Sequence, residues 1–504
     1  MKLSVAATSL FFLNYASGQC ATDPLEWSET IAMKVEKVGS VPAQATGAFS
    51  YNMHVMDNFD GDTIYFLDQQ FGLITSYDHS TSETKLVFDI ASSDIPDGLT
   101  LDYIYGSAGQ IFKVKSMTQG SSSDEVYVVF SSTTLPTGWT EADATLPPAG
   151  AYSQWVCGPD NPTWVRDIYR PGTIPECSNN GAGLVALTGY DVFYKYTVVD
   201  GDLTSPEPFF VSETVALPGH MGGGIVTVDN GKVLYSNGDC TIFGLDGSYA
   251  PQLDYEACGK ILLIDPSEKG SFKIAAKGVR NSQQMRVFSK SDRKPNLVNA
   301  KKILAFADIG GVTAEEVNAK PLAQILNTSN IDNFGWGRST LDGKAREGTF
   351  YVEPGNGLIL GTEPACTEQA PSGEAGFNQP WIQFGRSETD AFYAISSFAV
   401  PYTAVNKLEL IWSEFNTGHI MGTVQKYQSP WKGYGGPAPS FKIKLYDADG
   451  NYLENSLNDL VQAELGEVGY YRGDPRLFHY PDGQAGVFIE RTGVFYKLTE
   501  IEMP

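Results

Sequence analysis

The chain has 504 residues, 52 of them glycine and 28 proline, with 12% aromatic side chains and a net charge of −24. A charge of that size and sign repels phosphate backbones and so argues against nucleic acid as a partner. An anionic cofactor would need its own nest of Arg and Lys. The glycine, proline and aromatic content points to short strands and many turns.

In chain order, the first element is a leader. Met1 and Lys2 precede the apolar run SVAATSLFFL and the small residues Ala16, Ser17 and Gly18. This is the pattern of a secretory signal peptide, assigned to residues 1–18, and it predicts a secreted, extracellular domain over 19–504. No later stretch approaches 18 consecutive apolar residues, so no membrane span is expected. From there a polar turn followed by an alternating strand recurs. The copies are FDGDTIYFLDQQFGLITSYD (59–78), SSDEVYVVFSS (122–132), DNGKVLYSNGD (229–239) with GKILLIDP (259–266) after it, AKKILAFADIGG (300–311), NKLELIWSEFNTGHIMGTVQ (406–425) and YPDGQAGVFIERTGVFYKL (480–498). Six such units predict an all-β fold, a six-bladed β-propeller. Helical periodicity is confined to EEVNAKPLAQIL (315–326), interrupted by Pro321, and to LNDLVQAEL (457–465).

Cysteines stand at 20, 157, 177, 240, 258 and 366, with no CxxC spacing, so disulfides are expected rather than zinc. Local pairing suggests Cys157–Cys177 and Cys240–Cys258 and leaves Cys20 and Cys366. The sequence alone leaves this connectivity open. Asn327-Thr328-Ser329 has the form of an N-glycosylation sequon.

In a propeller the inner strands converge on a central channel, and polar residues near strand ends can share one pocket. His220, the Arg280-Asn281 pair, the run from Asp308 to Glu316, and Arg472 with Arg476 meet that expectation. These stretches carry a resemblance. PGHMGGGIVTVDNGKVLYSNGD is similar to the histidine segment of the soluble PQQ-dependent glucose and aldose sugar dehydrogenases. GVRNSQQMRVF (278–288), ADIGGVTAEEVN (307–318), DNFGWG (332–337) and GYYRGDPRLFHYPDG (469–483) resemble later segments of that family, in family order over 217–498. The same domain occurs in Hedgehog-interacting proteins.

The resemblance implies oxidation of a sugar (aldose) or related alcohol by hydride transfer to PQQ, with an electron acceptor it does not name. His220 matches the general base, for which imidazole suits neutral pH, and the glycines after it would let backbone approach a flat cofactor. Arg280, Asn281 and Gln283 match cofactor-facing residues. Arg472 and Arg476 match the last-blade arginines, suited to the PQQ carboxylates. The carbonyls of Gly310 and Gly311 match a calcium seat, and backbone oxygens of Glu316 and Phe334 a second one. Two positions depart from the family: Ser107 replaces an acidic or amide residue, and Asn416 stands where the family has a lysine, with His419 nearby. They favour an alternative, a non-catalytic extracellular propeller that binds a protein or glycan.

Overall fold

The computed structural model describes residues 25–41, 53–57, 61–69, 71–90, 96, 99, 114–132, 134–144, 155–157, 162–164, 178–179, 182–183, 187–216, 222–239, 250–254, 257–289, 302–310, 314–338, 344–353, 365–369, 376–385, 395–401, 408–414, 417–424, 437–466 and 475–503. The leader, Cys240, Ser107, His220, Gly311, Asn416 and Arg472 lie outside these residues.

The fold is all-β and propeller-like. Four sheets follow one another along the chain, each opening with an inner strand: Met53–Met56, Val114–Gln119, Gly222–Thr227 and Gln284–Ser289. Each continues as an antiparallel meander; in the first, Thr63–Asp68, Leu73–Asp78 and Glu83–Asp89 succeed one another. The alternation read as TIYFLD and EVYVVFSS gives these strands: β-branched and aromatic side chains fit a pleated surface covered on both sides. The remaining inner strands, Ile395–Ala399 and Pro475–His479, are the two edges of one eight-stranded sheet. In the middle of that sheet, Trp27–Ser40 pairs parallel with Phe441–Tyr446 and antiparallel with Val494–Glu502.

The apolar core is divided among the spaces between neighbouring sheets. Val128 and Phe130 face the first sheet, with Leu67 and Ile74 opposite. Tyr235 and Leu262 face the second, with Phe193 and Phe210 opposite. Val279 and Phe306 fill the next gap, Ile382 and Trp412 the one after. Ile443, Leu445 and Leu477 lie inside the eight-stranded sheet's own fold. Phe478 and Phe495 return to Phe66 of the first sheet, with Phe66 and Phe488 centroids 4.8 Å apart. Each fully buried side chain of this kind contributes about 1.5–3 kcal/mol.

The segment with helical periodicity at 315–326 is mostly a strand, Ala314–Pro321; only Leu322–Ile325 is helical. Its letters favour helix, but strand pairing on both sides decides, with Val317 opposite both Ala307 and Ile382. The helix Leu457–Leu465 forms where expected, ended by Gly466 in the left-handed conformation. A further four-stranded sheet, from Gly337–Arg338 to Ala365–Gln369, is inserted before the last strand of the fourth sheet. Cys258 is disulfide-bonded. Among the described residues no helix is long and apolar enough to cross a membrane.

Candidate active site

Side-chain contacts show that the inner strands run in one direction. Arg476 Nη1 donates to Gln283 Oε1 (3.0 Å) and Gln284 Nε2 to the Leu477 carbonyl (3.0 Å). Leu477 N donates to Ser397 Oγ (2.6 Å), and further along Val400 N donates to His479 Nε2 (3.0 Å). His479 N donates to Asp57 Oδ2 (2.5 Å), which also pairs with Arg286. Residue numbers rise together on all of these strands. Their first residues therefore share one end of the channel, and this end holds Arg280, Asn281, Gln283, Gly310 and Arg476.

Gly222 opens the third sheet there. Its N–H donates to Asn281 Oδ1 (2.9 Å), and the Gly224 N–H donates to the Ser282 carbonyl (3.0 Å). Two inner strands thus touch backbone to backbone. A Cβ on Gly222, whose φ is +64°, would lie 2.3 Å from the Ser236 carbonyl oxygen, and one on Gly224 would lie 3.2 Å from the Ser282 oxygen. The missing side chain makes room for neighbouring backbone at Gly222, and for backbone and the Met285 side chain at Gly224.

Arg280 and Asn281 form a fixed corner. The Asp308 carboxylate accepts the Arg280 N–H on both oxygens (3.1 and 3.0 Å) and the Asn281 N–H on Oδ1 (2.7 Å). Arg280 Nη1 donates to the Ile309 carbonyl (2.9 Å), and its guanidinium carbon lies 5.1 Å from the Trp336 ring centre. Trp336 Nε1 donates to Asp239 Oδ2 (2.8 Å), and Asp239 N donates back to the Arg280 carbonyl (2.8 Å). Arg280 is 5% exposed, and its Nε has no partner among the described residues. Arg476, also buried, gives Nε to Glu490 and Nη1 to Gln283 and the Ser396 carbonyl (3.0 Å each). Arg476 Nε and Nη1 are thus engaged by protein, whereas the Arg280 Nε–H has no partner among the described residues. Below them a cavity with room for about one water is lined by His54, Gln283, Ser396, Ser397 and Arg476. Burial, and secondarily the Arg476 charge, hold His54 well below the usual histidine pKa.

The Gly310 N–H donates to Glu315 Oε2 (3.1 Å), which also accepts the Ile395 N–H (3.1 Å). Glu347 Oε1 accepts the Ala314 N–H (3.1 Å). Glu316 accepts from Asn318 Nδ2 (2.9 Å). Phe334 is buried edge-on against Phe306, with centroids 4.7 Å apart. Burial, then Asp308, Glu347 and Glu315, push Glu316 well above the usual carboxylate range. Burial raises Asp308 to about 7 against the pull of the Arg280 and Asn281 N–H groups and the Arg280 charge, with Asp239 adding to the rise. Oxygen donors and an excess of buried acid fit a hard cation such as calcium. Among the described residues, however, no three His, Cys, Asp or Glu side chains are grouped to hold a metal by themselves. Backbone carbonyls such as that of Gly310 would have to supply part of a seat.

The raised Asp308 gives an expected pH dependence. Its folded pKa exceeds the unfolded value, so the protonated form stabilises the fold below about pH 4, and that contribution is lost as pH rises through about 7, up to roughly 4 kcal/mol. In chelator-treated protein the urea midpoint should fall between pH 5 and 7.5, and Asp308→Asn should reduce that fall. An equal fall in the variant would rule Asp308 out as the cause.

The structure brings together Arg280, Asn281, Gln283, Gly310 and Arg476. His419 packs edge-on to Trp27, with ring centroids 5.2 Å apart. Sequence reasoning did not single out Asp239, Trp336, Glu347 or His54. An acid closing an apolar strand, as Asp308 closes ILAFAD, is a signal it had; for the others nothing local points to the site.

No family model matches the chain, and no curated protein matches it. Among solved structures, the PQQ-bound aldose sugar dehydrogenase of Streptomyces coelicolor matches at 15% identity and a TM-score of 0.47, over 93% of this chain and 98% of that one. A putative glucose dehydrogenase of Thermus thermophilus matches at 11% identity and a TM-score of 0.44, over 89% and 100%. A Trichoderma reesei carbohydrate-active enzyme of family AA12 matches at 10% identity and a TM-score of 0.48, over 95% and 100%. Two of these three solved structures are named as sugar dehydrogenases.

Proposed function

We propose that the chain is a secreted six-bladed propeller that oxidises a sugar or related alcohol with PQQ and calcium. The carrying observation is the Arg280-Asn281 corner. In a chain of net charge −24, a buried guanidinium whose Nε–H has no partner among the described residues sits at the channel end where the inner strands begin. On this reading the eight-stranded sheet is two blades joined through Trp27–Ser40, which makes six with the four others.

When bound, PQQ supplies the hydride acceptor and calcium polarises it. The chain's own residues supply the rest. His220, next to the Gly222 segment that Asn281 holds, takes the substrate hydroxyl proton on an imidazole nitrogen. Arg280 holds a cofactor carboxylate, and Asp308 fixes the backbone from which that arginine projects. Arg476, engaged by Glu490, acts by holding Gln283 in place. Arg472 and Asn416 complete the cofactor's surroundings. The carbonyls of Gly310 and Gly311 take the nearer calcium, and those of Glu316 and Phe334 the second.

The test is reconstitution of apo-protein with PQQ and calcium, read by absorbance and then by dye reduction over a panel of aldoses and alcohols, the dye standing in for the electron acceptor. A calcium-dependent PQQ spectrum, reversed by chelator, is expected. Without it the dehydrogenase reading fails. The reading as a binding propeller, favoured by Ser107 and Asn416, would then replace it.

A further inference from the structure

We infer that Asn327 carries an N-linked glycan, on a connection between outer strands of the third and fourth sheets, away from the inner strands that begin near Arg280. Asn-X-Ser/Thr with X other than Pro occurs once in the 504 residues, at Asn327-Thr328-Ser329; Asn161-Pro162-Thr163 is barred by its proline. The one copy falls on the surface. Asn327 and Ser329 are exposed, in the turn that follows Leu322–Ile325. The turn is closed through the backbone, by Asn327 N to the Gln324 carbonyl and Asn330 N to the Asn327 carbonyl (3.0 Å each). The Asn327 side-chain amide takes part in no hydrogen bond among the described residues, so the fold does not use the group that would be modified.

Topology sets the side. Ser289 pairs with Lys302, and Ile303 with Pro321, so Pro321 lies at the end of the fourth sheet opposite Gln284 and Arg280. The chain regains the level of Lys277 only at Asn333. Asn327 lies between these points. That connection runs from the third strand of the fourth sheet to the outermost strand of the third, away from the inner strands.

The chemistry is a group transfer. The Asn327 amide nitrogen forms a bond to the anomeric carbon of an oligosaccharide carried on a polyprenyl diphosphate. The bond from that carbon to the diphosphate oxygen breaks, the diphosphate leaves with the electron pair, and the amide gives up one proton. This takes place only if the chain enters a secretory compartment, so the inference rests on the secretion proposed above.

The test is secretion of the full chain from a eukaryotic host, followed by peptide N-glycosidase, gel mobility and peptide mapping. One discrete mobility step and conversion of Asn327 to Asp are expected. Asn327→Gln and Ser329→Ala should each abolish both. Thr328→Ala, which keeps the sequon, should retain them. A second version with a heterologous leader separates the two claims: if only that version is secreted and glycosylated, the secretion reading fails and the site stands. A secreted chain with Asn327 unmodified overturns the site.

Discussion

Lys115→Ala should destabilise the fold by about 3–5 kcal/mol, read as a lower urea midpoint. Lys115 Nζ lies 2.5 Å from Asp191 Oδ2, and the two side chains are 2% and 0% exposed. The same oxygen accepts the Tyr235 hydroxyl (2.5 Å), and Ser131 Oγ reaches Oδ1 (3.4 Å). Lys115 and Asp191 stand on strands of the second sheet and Tyr235 on the third, so the pair and the phenol bind one sheet to the next. Burial lowers the Lys115 pKa although Asp191 pulls it back up, so the charge is held at a cost. Alanine would remove the cation and leave a carboxylate buried with only hydroxyl donors. Lys115→Met combined with Asp191→Asn removes both charges and should recover most of the loss. A single variant within about 0.5 kcal/mol of wild type would show that water reaches Asp191.

His220→Gln should slow turnover by roughly 100-fold or more while leaving PQQ affinity nearly unchanged. Glutamine keeps a polar group at the position and lacks a nitrogen basic enough to take the hydroxyl proton. Arg280→Ala should do the reverse, weakening the cofactor titration before it affects the rate of fully loaded enzyme. Asp308 supports this contrast by gripping the Arg280 and Asn281 backbone and leaving the guanidinium as the variable part. A His220→Gln enzyme with undiminished turnover would remove His220 from the chemistry. Loss of cofactor binding in that variant would instead make it a binding residue.

The parts of the fold legible in the sequence were those encoded locally. TIYFLD, EVYVVFSS and ILAFAD alternate and are strands, and LNDLVQAEL is a helix closed by glycine. Residues 315–321 misled because Glu, Ala and Lys favour helix in isolation, whereas the decisive partners, Ile382 and Phe384, come more than sixty positions later. The inserted sheet from Gly337 to Gln369 announced itself by no repeat. At the site, Arg280, Asn281, Gln283 and Arg476 could be read as one group because each stands at the start of an inner strand. Lys115 could not, since a lysine in VKSMTQ looks solvent-facing until Asp191 is brought beside it. The glycines after His220 were legible as a demand for space, but what fills the space at Gly222 and Gly224 is backbone and the Met285 side chain of the same protein.

The strand Trp27–Ser40 has a consequence for how the molecule is made. Its antiparallel partner, Val494–Glu502, and its parallel partner, Phe441–Tyr446, both lie far later in the chain. During synthesis this fourteen-residue segment emerges hundreds of residues before either of its neighbours. The closure entropy of nearly the whole chain must be met before any of that pairing is gained, which places ring closure among the slow, non-local steps of folding. Until then the segment carries both its edges unpaired, with Ile31, Met33 and Val35 uncovered, the condition in which a strand recruits the wrong partner. Lys34 and Glu36 alternate with Met33 and Val35, and Glu29 and Lys37 flank the apolar run, so the waiting strand carries charge that discourages self-association.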